Sequence, residues 1–205
     1  MLRVRSLECI RDDRSLFSDL NFTVSAGELV AIEGRNGCGK TSLLRILCGI
    51  RLPDSGDVEW EGTPIGKLGP EYHEAMSWVA HSDGVKLDLT PRENLNFASA
   101  LGARREDADI EDVLDRVGLF ALEDVPTRVL SAGQKRRLAL SRLLMTRASL
   151  WILDEPLSSL DRAGIELFEQ LLLEHLEAGG MTIMTTHHRL TLPDDRMHRL
   201  DLSAV

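Results

Sequence analysis

Gly34-Arg35-Asn36-Gly37-Cys38-Gly39-Lys40-Thr41 sets two glycines with four residues between them immediately before a lysine and a threonine. Leu29-Val30-Ala31-Ile32 before it has the character of a short buried strand, and Ser42-Leu43-Leu44-Arg45-Ile46-Leu47 after it that of a helix. A strand, a glycine-rich turn and a helix start together aim bare backbone N–H groups, with the helix dipole behind them, at an anion. Gly34, Gly37 and Gly39 can adopt backbone angles that a Cβ forbids. In such a loop Lys40 reaches the β- and γ-phosphates of a nucleotide and the Thr41 hydroxyl reaches Mg²⁺.

A second chemical signal lies far downstream. Ser149-Leu150-Trp151-Ile152-Leu153 is a continuous apolar run that ends in Asp154-Glu155-Pro156. Two carboxylates at the end of a buried strand are costly unless they are used. Beside a phosphate loop, Asp154 would hold Mg²⁺, usually through water, and Glu155 would accept a proton from an attacking water. Leu130-Ser131-Ala132-Gly133-Gln134 opens a basic helical run, Lys135-Arg136-Arg137-Leu138-Ala139-Leu140-Ser141-Arg142. Ser131 at its N-cap makes this either a second anion-binding helix start or an ordinary capped helix. Met181 to Thr185 is another buried strand, and it delivers Thr186-His187. His73, His81, His175, His188 and His198 show no metal-ligand spacing and read as surface or core residues.

The elements that must position these groups alternate in type. Residues 2–8 and 20–24 alternate apolar with polar and suggest antiparallel strands beside the loop strand, joined through the charged turn Arg11-Asp12-Asp13-Arg14. Pro53-Asp54-Ser55-Gly56 reads as a turn, Val58-Glu59-Trp60 as a short strand, and Met76 to Ala80 as a buried one. The character then becomes helical. Thr90-Pro91-Arg92-Glu93 is a capping box with proline at the first helical position, and a helix over Ile110–Val117 stops at Gly118. Ser158-Ser159-Leu160-Asp161 is a loop, 162–178 an amphipathic helix, and Arg196 to Leu202 an edge strand. The expected fold is α/β: a phosphate-loop core with a mainly parallel sheet, an antiparallel N-terminal β subdomain and an inserted helical lobe. Residues 1–83 and 148–205 would form the core with its β subdomain, and 84–147 the lobe.

The 205 residues suffice for one domain with a full core or for one core plus a small lobe. A formal net charge of −9 disfavours general affinity for nucleic acid, whose phosphates call for a basic face. No apolar run is long enough to span a bilayer, and the N-terminus lacks the apolar stretch of a signal peptide, so a cytoplasmic protein is expected. Cys9, Cys38 and Cys48 include no C-x-x-C pair, which points to free thiols.

Gly34–Thr41, Leu130–Gln134, Leu150–Glu155, Ser158–Asp161 and His187, in this order, resemble the nucleotide-binding subunit of ABC transporters over essentially the whole chain. The Leu-Ser-x-Gly-Gln signature beside a phosphate loop is highly specific. Softer features resemble one branch, the CcmA-type ATPases of cytochrome c biogenesis: Arg11–Phe17, Ile32–Gly37, the Lys135-Arg136-Arg137 run after the signature, Thr185-Thr186-His187 and the short C-terminus. The resemblance implies ATP and Mg²⁺ as cofactors. ATP would lie on Gly34 through Ser42, with Arg35, Asn36, Cys38 and Lys40 among its contacts. It also implies a head-to-tail homodimer in which Ser131, Gly133 and Gln134 of one copy meet the γ-phosphate held by the other. His187 would contact that phosphate, making Glu155, His187 and Lys40 the catalytic set, and Asp161 would communicate across the dimer. Integral membrane subunits would be the partners, at the inner face of the cell membrane, with haem handling as the purpose. Alternatives are an ABC ATPase for lipoprotein, peptide or drug, and a soluble ABC-type ATPase acting on nucleic acid or ribosomes. Three departures from the family pattern stand out. Arg11 occupies the place of an adenine-stacking aromatic, where a guanidinium can also stack. Ala132 replaces a signature glycine. Ser82 falls where a Mg²⁺-touching glutamine is usual, and its side chain is too short to do the same directly.

Overall fold

A computed structural model describes residues 1–101 and 105–204. The expected lobe 84–147 therefore includes three positions, 102–104, that lie outside the described residues. Five strands form a wholly parallel sheet in the order β6 (Met76–Val79), β7 (Leu150–Asp154), β8 (Met181–Thr185), β3 (Leu29–Glu33), β9 (Met197–Asp201). The central strands β7 and β8 are buried at every position, as a parallel sheet covered on both faces requires.

Successive side chains of each strand point to opposite faces, and the two faces build two cores. Val30, Ile32, Ile152 and Ile183 pack with Leu43, Leu44 and Leu47 of helix α1 (Lys40–Leu47). Leu29, Ala31, Trp151, Leu153 and Met184 pack on the other face with Phe168, Leu172 and Leu176 of α7 (Arg162–Glu177). The short helices α2 (Ile65–Leu68) and α3 (Pro70–Ala75) were not foreseen from the sequence. They carry Tyr72 into the first core, where its hydroxyl donates to the Leu47 carbonyl at 2.6 Å.

The N-terminal strands do not join the loop strand's sheet. β1 (Leu2–Arg11) and β2 (Arg14–Val24) form a separate antiparallel sheet with β4 (Ser55–Trp60) and β5 (Thr63–Pro64), in the order β2-β1-β4-β5. The neighbours of β3 are β8 and β9 instead. The antiparallel sheet covers the first core with Leu2, Val4, Phe17 and Leu20, so these strands lie over the loop strand and not beside it. Helices α4 (Pro91–Leu101), α5 (Ile110–Arg116) and α6 (Ala132–Ser141) supply a third apolar cluster through Leu95, Val113, Leu114 and Leu138, which extends to Leu171 of α7. The expected capping box opens α4: the Thr90 N–H donates to Glu93 at 2.8 Å and the Glu93 N–H to the Thr90 hydroxyl at 3.2 Å.

Because β3, β6, β7 and β8 run parallel, their carboxyl ends open on one edge of the sheet. That edge receives the loop after β3, Ala80-His81 after β6, Asp154-Glu155 after β7 and Thr186-His187 after β8.

Candidate functional site

The loop Gly34–Gly39 runs from the end of β3 into α1. Gly39 is the N-cap of α1 at φ +106°, and a Cβ there would sit 3.0 Å from Leu16 and 3.2 Å from the Phe17 ring. The antiparallel sheet thus packs closely on the loop, and the positive φ together with this tight space favours glycine at that position. No side chain caps α1, so the helix presents its first amides to the loop. Lys40 is 8% exposed, and its Nζ donates to the carbonyls of Gly34 at 2.7 Å and Arg35 at 3.3 Å. The ammonium therefore lies inside the ring of the loop.

A chain of hydrogen bonds links the loop to the acidic strand end. The Thr41 hydroxyl donates to Asp154 Oδ2 at 2.9 Å. The Thr185 hydroxyl donates to Asp154 Oδ1 at 2.8 Å and accepts from the Glu155 N–H at 2.8 Å. Asp154 is buried at 3% exposure, and two hydroxyl donors satisfy its two oxygens. Thr185 was missed as a site residue. Its signal was a hydroxyl at the end of a buried strand, but only the register that pairs Asp154 with Thr185 gives it meaning.

Glu155 sits at φ +48°, in the left-handed region, which costs a side chain bearing a Cβ about 1–2 kcal/mol. That backbone turn directs the carboxylate between two imidazoles. His187 Nε2 lies 3.4 Å from Oε1, and His81 Nδ1 lies 3.5 Å from Oε2. The sequence reading took His81 for a surface or core residue and gave the position to Ser82. In the structure His81, exposed as that reading has it, nonetheless approaches Glu155 Oε2 to 3.5 Å, and the neighbouring Ser82, also exposed, makes no hydrogen bond to Thr41 or Asp154.

A groove of about 490 Å³ brings together Arg11, Leu16, Asn36, Gly37, Lys40, Thr41, Ser42, His81 and Glu155. Arg11 stands at the tip of the β1–β2 hairpin, well exposed, with Asp12 3.6 Å from its guanidinium. A larger groove, about 1120 Å³, opens between Gly34 and the segment His187–Pro193. It contains neither Lys40 nor Asp154, so its size does not mark the chemistry.

Ser131, Gly133 and Gln134 line neither groove. Ser131 caps α6 in a reciprocal box: its Oγ accepts from the Gln134 N–H at 3.2 Å, and Gln134 Oε1 accepts from the Ser131 N–H at 2.8 Å. The Ser131 hydroxyl proton stays free to donate outward. A Cβ on Gly133 would stand 2.9 Å from the Ser159 carbonyl, so close backbone approach already demands glycine there. Asp161 caps α7, accepting from the Gly164 N–H at 2.8 Å.

An uncapped helix start under a glycine loop, with a buried lysine and an Asp-Glu pair on the adjoining parallel strand, defines a phosphate-loop nucleoside triphosphatase. The ABC transporter family model matches residues 17–158, and the chain belongs to the ATP-binding subunits of that family. It is an ATPase, with a nucleotide-binding domain of the kind that binds ATP, generally together with Mg²⁺. The cytochrome c biogenesis ATP-binding export protein CcmA of Nitrosomonas europaea is 52% identical over 99% of this chain and 96% of its own length. CcmA of Escherichia coli K12 is 45% identical over 99% and 97%. Among solved structures, cbiO1 of Clostridium perfringens, part of the ABC transporter complex cbiONQ, superposes with a TM-score of 0.78 at 27% identity, over 98% of this chain and 85% of that one.

Proposed function

We propose that the chain hydrolyses ATP to power separate membrane subunits in cytochrome c maturation, with haem, or a haem-carrying complex, as the cargo. The full-length similarity to the CcmA proteins supports the pathway, since their names carry cytochrome c biogenesis and export. The observation that carries the chemistry is the Thr41–Asp154 hydrogen bond, which ties the phosphate loop to the acidic strand end beside Glu155.

In this reading the loop amides of Gly34–Gly39 and Ser42 hold the phosphates, Lys40 neutralises the β- and γ-phosphates, and Arg11 stacks on the base. Thr41 Oγ1 and Asp154 Oδ2, 2.9 Å apart, are hard oxygen donors of the type Mg²⁺ takes when substrate phosphates and water complete its shell. The ion would offset charge on the phosphate oxygens. Glu155 takes a proton from water as that water attacks the γ-phosphorus and the bond to ADP breaks. His187 fixes the carboxylate through its 3.4 Å contact and reaches the γ-phosphate. Ser131 and Gly133 line neither groove of their own chain, which favours a head-to-tail pair in which they, with Gln134, act on the partner's nucleotide and Asp161 lies near the seam. Residues 1–83 and 148–205 then form the ATP-handling body, and 84–147 the lobe that passes motion to the membrane. Among the described residues no helix is long and apolar enough to cross a membrane, and docking on the inner face through the membrane subunits follows from the same reading.

Purification from detergent-solubilised membranes tests both halves. Co-isolation of integral membrane subunits with ATP-dependent release of haem is the expected result, and Lys40→Ala should abolish turnover. A lipoprotein, peptide or drug transporter recovered in their place would overturn the cargo. Salt-dependent binding to nucleic acid would move the chain to the soluble, nucleic-acid or ribosome class, which its −9 charge disfavours.

A further inference from the structure

Arg136 is 1% exposed, the largest fully buried side chain among the described residues. Its position in the run Lys135-Arg136-Arg137 gives no hint of this; in sequence it is one of three basic residues on a helix. All five guanidinium N–H groups are used. Nε donates to the Pro156 carbonyl at 3.0 Å. Nη2 donates to the carbonyls of Asp154 at 3.0 Å and Glu155 at 2.8 Å. Nη1 donates to the Ala80 carbonyl at 3.0 Å and to Asp83 Oδ1 at 3.1 Å. One side chain thus joins three segments: the helix that Ser131 caps, the turn that holds Glu155, and the loop that carries His81.

Arg142, from the turn that continues α6, braces the same loop. Its Nη2 donates to the Asp83 carbonyl at 3.0 Å. Asp83 is therefore held twice, by side chain and by backbone. The carbonyls that Arg136 gathers from Asp154, Glu155 and Pro156 belong to the turn in which Glu155 adopts its left-handed backbone. The loop it gathers at Ala80 and Asp83 brackets His81, which approaches Glu155 Oε2 to 3.5 Å. Both members of the His81–Glu155 contact are hung from one rigid planar group.

We propose that Arg136 is a positioning residue for the hydrolytic step: it fixes the Glu155 carboxylate and the His81 loop relative to the start of α6, so that displacement of either segment is felt at Glu155. This rests on the role proposed above for Glu155. Lysine cannot replace it, because an ammonium has three donors on a flexible stem and cannot bridge three segments in one plane. Arg136 does not itself line the nucleotide groove and makes no contact with Lys40; it reaches the groove residues Glu155 and His81 only through their backbone carbonyls, so ATP affinity should change little.

The test uses the complex with its membrane subunits and compares wild type, Arg136→Lys, Asp83→Ala and the double variant. Steady-state phosphate release, binding of a fluorescent ATP analogue and thermal melting are read for each. Arg136→Lys should lower kcat by about tenfold or more, the scale expected when a catalytic group is misplaced by a fraction of an ångström to one ångström, while the ATP Kd changes by less than about twofold. Asp83→Ala should lower kcat by a smaller factor. The double variant should be no slower than Arg136→Lys alone, because both changes act through one linkage. Folded variants at the wild-type kcat, losses confined to ATP affinity, or multiplicative effects in the double variant would each overturn the proposal. If Arg136→Lys does not fold, Asp83→Ala decides the matter: that side chain is 28% exposed, and an unchanged kcat there is equally fatal. Glu155→Gln, measured alongside, separates the two readings, since full activity in that variant refutes the role of Glu155 whatever Arg136 does.

Discussion

Replacing Glu155 with glutamine removes a proton acceptor and leaves most of its surroundings intact. The left-handed backbone at φ +48° is held by main-chain contacts, the N–H to Thr185 and the carbonyl to Arg136, and both survive the change. The carboxylate supplies one oxygen to each histidine, whereas an amide has one oxygen and one NH₂, so one of the two contacts is lost. His81 and His187 are both more than half exposed, so that loss is worth at most about 1 kcal/mol. Loss of general-base catalysis is much larger, about 10²- to 10⁴-fold, equivalent to about 3–5 kcal/mol of barrier. The kcat of Glu155→Gln should therefore fall by about 10²–10⁴, while ATP binding, which in the proposed reading rests on Gly34–Thr41, changes by well under tenfold. The variant should also accumulate as an ATP-bound dimer, visible by light scattering with ATP and Mg²⁺. A variant that melts like wild type and releases phosphate within threefold of the wild-type rate would refute both the base assignment and the reasoning from its geometry.

Other parts of the molecule give independent tests. His175 stacks on Trp151 with ring centroids 3.8 Å apart, and burial pushes its pKa down from 6.5 to about 4. Only the unfolded chain takes up that proton between these values, so its contribution is complete above pH 6.5 and is lost as the pH falls toward 4, by about 3 kcal/mol at most. Subtracting the stability-versus-pH curve of His175→Phe from that of wild type should isolate this slope, and parallel curves would exclude it. Cys38 lies in the phosphate loop and is partly exposed, whereas Cys9 and Cys48 are buried and burial pushes their thiols up. Alkylation followed by mass spectrometry should therefore find Cys38 modified first and protected by ATP; preferential labelling of Cys9 or Cys48 would contradict the packing. Tyr72→Phe strands the buried Leu47 carbonyl and should cost about 1–3 kcal/mol, a melting-temperature drop of roughly 2–4 °C per kcal/mol, with kcat unchanged. An unchanged melting temperature would mean that water or a backbone shift satisfies that carbonyl.

The phosphate loop, the acidic strand end and the capped α6 were legible because each is local. A glycine that must adopt positive φ, a serine that caps a helix with a glutamine three residues on, and a buried strand ending in carboxylates leave their mark within a few residues. The strands β3 and β7 were legible for the same reason, as apolar runs, and β8 as a mainly apolar run broken by Thr182. The placement of β1 and β2 was not. Alternation shows that a strand has one buried face, but not which sheet it joins, and these strands cover the first core from a sheet of their own.

What the sequence determined by itself was the set of groups offered to the proposed chemistry: a glycine loop suited to phosphates, oxygen donors of the type a divalent cation takes and a carboxylate able to accept a proton. Which groups meet was decided by tertiary structure. Thr185 reaches Asp154 because parallel register sets the ends of β7 and β8 level. His81 comes within 3.5 Å of Glu155 because the adjacent parallel strands β6 and β7 end on the same edge of the sheet. Arg136 is buried because two segments, separated by up to 56 residues from it, converge on its five donors. Hydrogen bonds and ion pairs act over a few ångströms, whereas sequence separation sets no such limit; a contact between distant residues exists only once packing of the sheet and helices has brought them within that range.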